Sequence, residues 1–432
     1  MDKVELIIMG GTFIAQPKRY RDEFVAYSLK AMNDFSDRFY SRGSSGGFRF
    51  EEFKTFFGLP GNIGNLERIG SIRKALLKLK GKADLEREQK RNERSRIRCV
   101  AMCLETRPDY CKEEHIDEML RLGATRVEMG VQSLDNTVLK KVERGHTVED
   151  SIAATALLKD SLFKVGYHMM PGLPGVTAAK DLNGLKRLFS DESFRPDALK
   201  IYPCMVMPGT KLFEEYKKGR FKPLTTEKAA ELIAEIKRYV PEYCRIMRVQ
   251  RDIPTTATEA GVDRTNLRQY VDRLLKEKGI KCRCIRCREP KGRAVSIKNL
   301  RIKAIKYEAS GGTEIFIAAE DPKKDILAGF CRLRIPLNQF RKELKGKTAG
   351  IRELHVYGEM AGIGEKELVG EGSRAGKVQH KGIGKRLLAE AERLALHEFG
   401  RNKMVIISGI GVRGYYRKLG YRREGPYMSK IL

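Results

Sequence analysis

The sequence contains no apolar run long enough to cross a membrane, which needs roughly 20 apolar residues. The apolar stretch from Val4 to Met9 is also too short for the core of a secretory signal, and Gly10 and Gly11 end it. We therefore expect neither a membrane segment nor a signal peptide. The nine cysteines include a tight cluster rather than spaced pairs, which favours a metal site in a reducing cytoplasm over disulfides.

Acidic residues are scarce in comparison with basic ones, with 56 Asp and Glu against 85 Lys and Arg, for a formal net charge of +29. Because the excess has one sign, it indicates a polyanionic partner, with RNA as the first candidate. The alternative is the charged surface of a thermophilic protein, in which Lys and Glu both rise. A chain of 432 residues with 41% hydrophobic residues can bury two cores, so we expect two domains and a connector.

A Gly-rich loop near the end of the chain precedes a predicted helix. Gly382 and Gly384 are one residue apart, so the backbone there can approach a bulky anion closely. The helix that follows begins with unpaired N–H groups and the positive end of its dipole. Apolar residues recur at helical spacing from Leu387 to Ala395 and anchor one face of this helix to a core. The pattern predicts a pyrophosphate cradle, with a Gly-rich turn before an ordinary helix as the alternative.

The elements after this loop carry a first resemblance. A buried strand is predicted at 404–407, then a short helix within 411–421 and a last strand ending at Leu432. The order Q-x-x-G-x-G, helix, strand and YYRKLGY resembles motif A and the C-terminal part of the GNAT acetyltransferases. This resemblance implies that the loop binds the pyrophosphate of acetyl-CoA and that Tyr415 or Tyr416 lies beside the thioester. Only one of two adjacent tyrosines on a helix can point fully into a cleft.

The first part of the chain alternates strands and helices, with polar residues at the strand ends. The strands are predicted at 4–9, 98–105, 126–133, 164–171 and 198–203. This alternation predicts a parallel (β/α) barrel or partial barrel.

Strands of a different kind follow residue 300, and they predict a mixed sheet. They are predicted at 301–307, 313–319, 326–335 and 352–357. We therefore expect an α/β chain with a barrel domain at 1–250, a connector at 251–300 and an acetyltransferase domain at 301–432.

The strand-end motifs carry a second resemblance, which covers essentially the whole chain. In order, MGGTF, ETRPD, EMGVQS, HMMPGLPG, LKIYP, RVQRDIP, RELHVYG and YYRKLGY are similar to the catalytic-subunit family of Elongator, which joins a radical SAM domain to a GNAT domain. The resemblance implies an acyltransferase that forms 5-carboxymethyluridine at the wobble uridine of tRNA. In that family a 5′-deoxyadenosyl radical from S-adenosylmethionine generates an acetyl radical from acetyl-CoA, which adds to C5 of the base. The alternatives are a protein lysine acetyltransferase and a tRNA-binding scaffold with an inactive barrel.

The second resemblance also implies site residues. Those for S-adenosylmethionine are Gly10, Gly11, Thr12, Glu128 and Gln132. Those for acetyl-CoA are Lys3, Glu353, Leu354, His355, Val356, Gln379, Gly382, Ile383, Gly384, Lys385 and Tyr416, with Tyr415 and Tyr416 as the catalytic candidates. A lysine supplied from the barrel side predicts that the two active sites face each other. No carboxylate is marked as a base for lysine acetylation, because Glu353 can equally be paired with a nearby arginine.

This sequence departs from the radical SAM family at the iron–sulfur cluster. In the family, three cluster cysteines lie ahead of the GGT strand, and this chain has no residues there. We therefore expect a chain truncated at its N-terminus that does not hold the [4Fe-4S] cluster, although the intact protein would. Cys99, Cys103 and Cys111 are expected to be structural, because free cysteine is readily buried.

Three cysteines in the connector form the strongest metal signal. The spacing C-x-C-x-x-C at Cys282, Cys284 and Cys287 brings three thiolates within reach of one ion, and zinc is the usual outcome. Cys244 and Cys331 are the candidates for a fourth ligand. Such a site would be structural, since catalytic zinc keeps an open position.

Three arginines at the start of the connector suggest a contact with the phosphates of tRNA, with a solvated surface as the alternative. They are Arg245, Arg248 and Arg251. The expected partners are the anticodon stem-loop of tRNA and either a second copy of the chain or an Elongator-type assembly, in the cytoplasm.

Overall fold

Two β-sheets organise the chain, one entirely parallel and one mixed. The structure is a computed structural model that describes residues 2–41, 47–293, 295–357 and 382–432. The parallel sheet contains β1 (Lys3–Ile8), β2 (Arg98–Thr106), β3 (Arg126–Gln132), β4 (Lys164–Met169), β5 (Ala198–Ile201) and β6 (Arg245–Arg248). The mixed sheet contains β7 (Arg301–Ala309), β8 (Gly312–Asp321), β9 (Ile326–Ile335), β10 (Thr348–Val356), β11 (Lys403–Ile406), β12 (Arg422–Glu424) and β13 (Tyr427–Ile431).

Helices occupy most of the connections. They are α1 (Lys18–Phe39), α2 (Phe50–Phe56), α3 (Leu66–Lys80), α4 (Leu85–Asn92), α5 (Glu113–Leu122), α6 (Asn136–Lys141), α7 (Val148–Asp160), α8 (Ala178–Ser190), α9 (Lys211–Lys217), α10 (Thr226–Ile236), α11 (Leu267–Glu277), α12 (Ile285–Arg288), α13 (Ile383–His397) and α14 (Arg413–Arg417). No helix in the described ranges is both long enough and apolar enough to span a membrane.

The parallel strands follow one another in sequence order, from β1 at one edge to β6 at the other. Each strand pairs in parallel with the next, so every connection crosses over through helices, as in a (β/α) barrel. Met119 of α5, Leu158 of α7 and Ile233 of α10 are buried in the same core as the strands. The predicted partial barrel is therefore confirmed as a six-stranded half-barrel.

The mixed sheet has the order β12-β13-β11-β10-β9-β8-β7, and β10 and β11 are its parallel pair. Alternate side chains of β8 enter different cores, as the pleat requires. Ile315 and Ile317 pack in the core that includes α13, whereas Phe316 and Ala318 pack in the core of the half-barrel. The mixed sheet is thus covered by α13 on one face and by the half-barrel on the other. The predicted mixed sheet is confirmed.

Buried charges join the two sheets. Asp197, just before β5, is fully buried and accepts hydrogen bonds from both terminal nitrogens of Arg352 on β10, at 2.6 and 2.7 Å. Its carboxylate also accepts the backbone N–H of Val165 at 2.7 Å. Arg334 of β9 binds Asp160, the last residue of α7, at 2.6 Å. Charges that are buried need partners of opposite sign, and these partners lie on different sheets.

Two regions differ from the sequence expectation. The segment between α1 and α4 forms two helices, α2 and α3, for which the sequence analysis made no prediction. Residues 245–248, predicted as the start of a connector, form β6, the last strand of the half-barrel. Cys99 and Cys103 lie on β2 and are buried, as their predicted structural role requires.

Candidate functional site

A cleft opens where two parallel strands of the mixed sheet separate. β10 pairs with β11 only from Thr348 to Ile351, but it pairs with β9 as far as Val356. A register shift between Ile351 and Glu353 accompanies the separation. The carboxyl half of β10 therefore borders open space, which is where the resemblance expects the pantetheine arm.

The start of α13 fits an anion. Gly382, the residue before the helix, has φ = 79°, and a Cβ at this position would meet no atom of the described residues within 4 Å. A Cβ on Gly384 would lie 3.2 Å from the hydroxyl oxygen of Tyr415. The backbone at this helix start is thus accessible, and the helix dipole favours a phosphate there. Ile383 is buried in the core beneath α13, and Lys385 follows in the first turn; Gln379 lies outside the described residues.

Tyr415 and Tyr416 lie at different ends of this site. Tyr416 is buried and lines a cavity of about 400 Å³ together with Glu353, Leu354 and His355. Tyr415 is partly exposed, and its hydroxyl lies at the start of α13. The two rings meet edge to face, with centroids 5.2 Å apart. The structure therefore brings Tyr416, rather than Tyr415, next to the predicted pantetheine strand.

Glu353 is held by two cations. Lys164 lies 2.5 Å from one carboxylate oxygen, and the Nε of Arg332 donates to the other at 2.9 Å. Although burial opposes ionisation, Lys164 and Arg332 lower the pKa of Glu353 to about 2. A carboxylate with so low a pKa is a poor general base near pH 7. In the same cleft, burial lowers the pKa of His355 to about 4, so this imidazole is neutral at pH 7.

The cleft faces the amino-terminal part of the half-barrel strands. Its other wall includes Glu5 of β1, Arg126 at the start of β3, Lys164 at the start of β4 and Arg245 at the start of β6. Lys3 lies two residues before Glu5 on the same strand, so its side chain leaves the same face of β1. The barrel side therefore contributes the cations Arg126, Lys164 and Arg245 to the cleft, and the role of Lys3 stays a prediction.

Charged side chains continue from this cleft into the half-barrel. We refer to them as the charged row; its members are Glu5, Arg126, Glu128, His168, Lys200 and Glu105. Arg126 contacts Glu5 at 2.7 Å and also pairs with Glu128. Glu128 is bound by the Nε2 of His168 at 2.8 Å and by Lys200, which lies 3.1 Å from Glu105. Burial, followed by the charge of Lys200, lowers the pKa of His168 to about 3, so it is neutral.

The predicted S-adenosylmethionine residues lie at the other ends of the strands, with one exception. Gly10 and Gly11 follow β1 with φ of 108° and 91°, and Thr12 precedes a short 3₁₀ helix. Gln132 ends β3 with φ = 67°, a conformation that is uncommon for a residue other than glycine. Glu128 lies within β3, in the charged row. Six residues separate Arg126 from Gln132, which corresponds to about 20 Å along the strand. The two predicted cofactor sites thus lie at opposite ends of the half-barrel instead of directly facing each other.

The three predicted tRNA contacts are not brought together. Arg245 lines the acetyl-CoA cleft, where it donates to the hydroxyl of Tyr357 at 3.0 Å. Arg248 is exposed and pairs with Asp252. Arg251 lines a cavity of about 660 Å³ beyond the carboxyl ends of β4 and β5. Only Arg248 and Arg251 are therefore near surfaces that a large polyanion can reach.

The cysteine triad of Cys282, Cys284 and Cys287 is compact. The three Sγ atoms lie within 4.8 Å of one another, and Cys284 is fully buried. Hydrogen bonds from the thiols of Cys282 and Cys287 lower the pKa of Cys284. Tetrahedral zinc with Zn–S distances near 2.3 Å requires sulfurs about 4 Å apart, which the triad fits.

The candidate fourth ligands lie in different places. Cys244 immediately precedes β6, and its backbone carbonyl accepts the N–H of Ile285, the residue after Cys284. Its sulfur is not among those that lie within 4.8 Å of one another. Cys331 lies on β9 in the core with Tyr416 and Tyr421. Of the two, Cys244 is the one near the triad.

The triad does not fit the cluster of a radical SAM enzyme. It lies beside Cys244, at the amino-terminal end of β6, whereas Gly10 and Gln132 mark the carboxyl ends of the strands. Among the residues described, it is also the only group of three cysteines close enough to share a metal ion. Ligands for a cluster at the strand carboxyl ends are therefore not among the described cysteines.

The half-barrel and the mixed sheet together define a class of enzyme that joins a radical SAM fold to an acetyltransferase-like fold. The radical SAM superfamily model matches residues 65–183, and the Radical_SAM C-terminal domain model matches residues 196–277. This superfamily match implies S-adenosylmethionine and an iron–sulfur cluster.

Relatives along the whole chain identify the family. The tRNA uridine(34) acetyltransferase of Methanocaldococcus infernus is 45% identical over 437 residues, covering 100% of this chain and 72% of the relative. Elongator complex protein 3 of Homo sapiens is 39% identical, covering 100% of this chain and 70% of its own length. This chain belongs to the family of the tRNA uridine(34) acetyltransferases and Elongator complex protein 3. The resemblance drawn from the strand-end motifs is confirmed.

A solved structure agrees with this assignment. The structure of archaeal Methanocaldococcus infernus Elp3 with an N-terminal deletion of residues 1–46 superposes with a TM-score of 0.83 at 46% identity. The match covers 100% of this chain and 91% of that one. The relation of the two sheets described above is therefore shared with an experimentally determined relative.

Sequence reasoning missed the cations that face the acetyl-CoA cleft and the charged row. They are Arg126, Lys164, Lys200 and Arg332. Lys200, in the motif LKIYP, could have been predicted as part of a buried ion pair, because a lysine inside an apolar strand needs a buried partner. The partners themselves lie on other strands and give no local pattern.

Proposed function

We propose that this chain uses acetyl-CoA to modify the wobble uridine of tRNA, forming 5-carboxymethyluridine in a tRNA-dependent reaction. The observation that supports this most directly is the charged row, which runs through the half-barrel from the acetyl-CoA cleft toward the strand ends. An acetyltransferase that acted alone would not need a second site at the far end of the same half-barrel. The relatives named for tRNA uridine(34) acetylation support the same substrate.

In the acetyl-CoA cleft, the chain binds acetyl-CoA and orients its thioester. The start of α13 at Gly382–Lys385 holds the pyrophosphate, and the open edge of β10 from Glu353 to Val356 holds the pantetheine arm through its backbone. Tyr416 lies where the thioester would end, and burial raises the pKa of its hydroxyl, so it remains a hydrogen-bond donor at neutral pH. Lys164, Arg126 and Arg245 make the cleft cationic toward the half-barrel, and Lys3 would reach acetyl-CoA from the same strand as Glu5.

At the strand carboxyl ends, Gly10, Gly11, Thr12 and Gln132 would hold S-adenosylmethionine. Hydrogen abstraction from a methyl group is the chemistry that this cofactor supplies when it is bound with its cluster. Because the described cysteines do not provide that cluster, the role of these four residues is limited to binding and orienting the cofactor. The tRNA would approach this end of the half-barrel, where Arg248 and Arg251 lie.

The cysteine triad would hold a structural zinc, with Cys244 as the fourth ligand. The cysteine triad lies where α12 meets the beginning of β6, because the backbone N–H of Ile285 donates to the carbonyl of Cys244 at 3.0 Å. A metal there would fix the connector against the edge of the half-barrel.

The test is the release of CoA from acetyl-CoA by this chain, with and without tRNA. Stimulation by tRNA that is lost in Tyr416→Phe would support the proposal. Transfer of the acetyl group to a lysine peptide without RNA would replace it with the protein acetyltransferase alternative. Binding of tRNA without any turnover would indicate a scaffold.

A further inference from the structure

One helix of the chain has an apolar side that the rest of the described chain does not cover. α3 has no buried residue, although Leu66, Ile69, Leu76, Leu77 and Leu79 are among its side chains. Leu66 is 81% exposed and Leu77 is 59% exposed. An amphipathic helix is normally stabilised by burying its apolar face, as α13 does against the mixed sheet. An apolar surface left open on this scale marks an interaction site.

The uncovered side of α3 faces a groove. The groove has a volume of about 660 Å³, with α1 as its other wall and Phe56 and Phe57 of the α2 segment at one end. On the α1 wall it is lined by Phe35 and Phe39. Ring contacts among Phe39, Phe56 and Phe57 fix this end of the groove, with centroids 4.9 to 5.9 Å apart. The groove is therefore a formed hydrophobic surface between two helices.

The rim of this groove is basic. Lys30, Arg38, Arg73 and Lys80 line it, and the acid among the lining residues, Asp34, is already paired with Lys30. Within the described ranges, Arg73 has no ion-pair partner. A ligand for this groove therefore gains from negative charge beside its apolar groups.

The basic rim and the apolar floor of the groove argue against three other ligands: a second copy of the chain, RNA and a β-strand. A second copy that docked through the same groove would bring two basic α3 helices together, and like charges oppose that. The sugar and phosphate groups of RNA would meet a floor of Ile, Leu and Phe side chains that cannot satisfy their hydrogen bonds. A β-strand would need a free sheet edge, but both walls are helices.

We propose that the groove between α1 and α3 binds an amphipathic helix of a partner protein that carries acidic residues beside apolar anchors. Such a helix would fill the groove with residues at i, i+3, i+4 and i+7, the pattern of helix-in-groove recognition. α3 contains 15 residues, which corresponds to about 22 Å and to four turns of a bound helix. The acidic flanks would meet Arg38, Arg73 and Lys80.

The probe is a synthetic helical peptide of about four turns, with Leu and Phe at i, i+3, i+4 and i+7 and Glu at the flanks. Binding to the full chain is measured by fluorescence anisotropy. We expect Leu76→Glu and Leu77→Glu each to weaken binding at least about tenfold, as truncation of a central anchor does. Arg73→Glu should weaken it and reduce its dependence on salt. Leu337→Glu is the control, because Leu337 is also an exposed leucine, 73% against 48% for Leu76 and 59% for Leu77, but lies outside the groove, and it should leave binding unchanged.

Other results would overturn the proposal. Equal binding of a peptide with Lys in place of Glu would remove the charge argument. A dimer seen by light scattering and lost in Leu76→Glu would assign the groove to a second copy. Retention of tRNA or of anionic lipid vesicles that is lost in Leu76→Glu, without peptide binding, would assign it to those ligands. Stimulation of CoA release by tRNA should be the same in Leu77→Glu as in wild type, so a failure of the docking proposal is distinguishable from a failure of the proposed function.

Discussion

Replacement of Asp197 by Asn tests whether the buried charges between the two sheets hold the molecule together. The substitution keeps the size of the side chain but removes its charge. Asp197 accepts two hydrogen bonds from Arg352 and one from the N–H of Val165, and it also lies 3.4 Å from Arg332. The amide of Asn would present a donor toward one of these donors. Arg352 would keep only Glu314 as its anionic partner, and Arg332 would keep only Glu353.

The expected cost follows from the burial of all the partners. Removing one member of a buried ion pair destabilises by about 3–5 kcal/mol when the remaining charge has no other partner. Because Arg352 keeps Glu314 and Arg332 keeps Glu353, we expect a cost near the lower end of this range. This is a large part of the total stability of a folded domain, about 5–15 kcal/mol. Glu143→Gln is the matched control, since Glu143 pairs with Lys211 on the surface, and its loss should cost at most about 1 kcal/mol.

The dependence on pH has a definite sign. Burial favours the neutral acid, but Arg352 and Arg332 hold the pKa of Asp197 well below its usual range. The stabilisation is therefore fully present above the unfolded pKa of about 3.9 and is lost as the pH falls toward the folded pKa. The difference between wild type and Asp197→Asn should be largest near pH 7 and should shrink by about 1 kcal/mol per pH unit below pH 4.

Urea denaturation followed by circular dichroism at pH 7 and pH 3 measures both effects. A difference at pH 7 no larger than that of Glu143→Gln would refute the reasoning, since it would mean that these charges are hydrated in the folded protein. A large difference that did not change at pH 3 would refute the assignment of the effect to the carboxylate charge.

Three further changes test the cofactor sites. Gly382→Glu should weaken acetyl-CoA binding at least about tenfold, as measured by calorimetry, because it places a carboxylate beside the pyrophosphate; Gly346→Glu, with a similar positive φ but remote from the cleft, is its control. Tyr416→Phe should reduce tRNA-stimulated CoA release at least about tenfold while the chain stays folded, since it removes the hydroxyl at the thioester; wild-type turnover would refute the placement. Serine at all three positions of the cysteine triad should abolish the binding of about one zinc per chain, measured by elemental analysis; an equally folded, metal-free wild-type preparation would contradict the site.

The local parts of the molecule could be predicted from the sequence because their signals are local. Strands followed by polar residues and helices indicated the half-barrel, and the spacing of Gly382 and Gly384 indicated the start of α13. The cysteine triad could be found because its members lie within six residues. Helix α3 was not predicted, since its apolar residues are mixed with lysines and arginines.

The long-range parts could not be predicted, and the physical reason is the same at each place. Asp197 and Arg352 are 155 residues apart, and nothing near either residue identifies the other. β6 was interpreted as a basic connector because Arg245 and Arg248 occupy two of its four positions. Arg245 can be charged although it lies on a strand, because its side chain enters the cleft between the two sheets. That cleft exists only in the assembled fold.

Glu128 was predicted to lie at the carboxyl end of its strand, but it lies within β3. The charged row explains why a polar residue is found at this position in the half-barrel interior. A polar residue in a parallel strand is usually assigned to the carboxyl end, since the middle of such a strand is buried. Here Arg126, His168 and Lys200 supply partners within the interior, so the carboxyl group of Glu128 is paired where an apolar residue would be expected. Because Lys200 already provides the cation between Glu128 and Glu105, this group needs no metal to be stable. The interior between the two proposed cofactor sites is therefore polar, with three carboxylates in the charged row against two cations and a neutral imidazole.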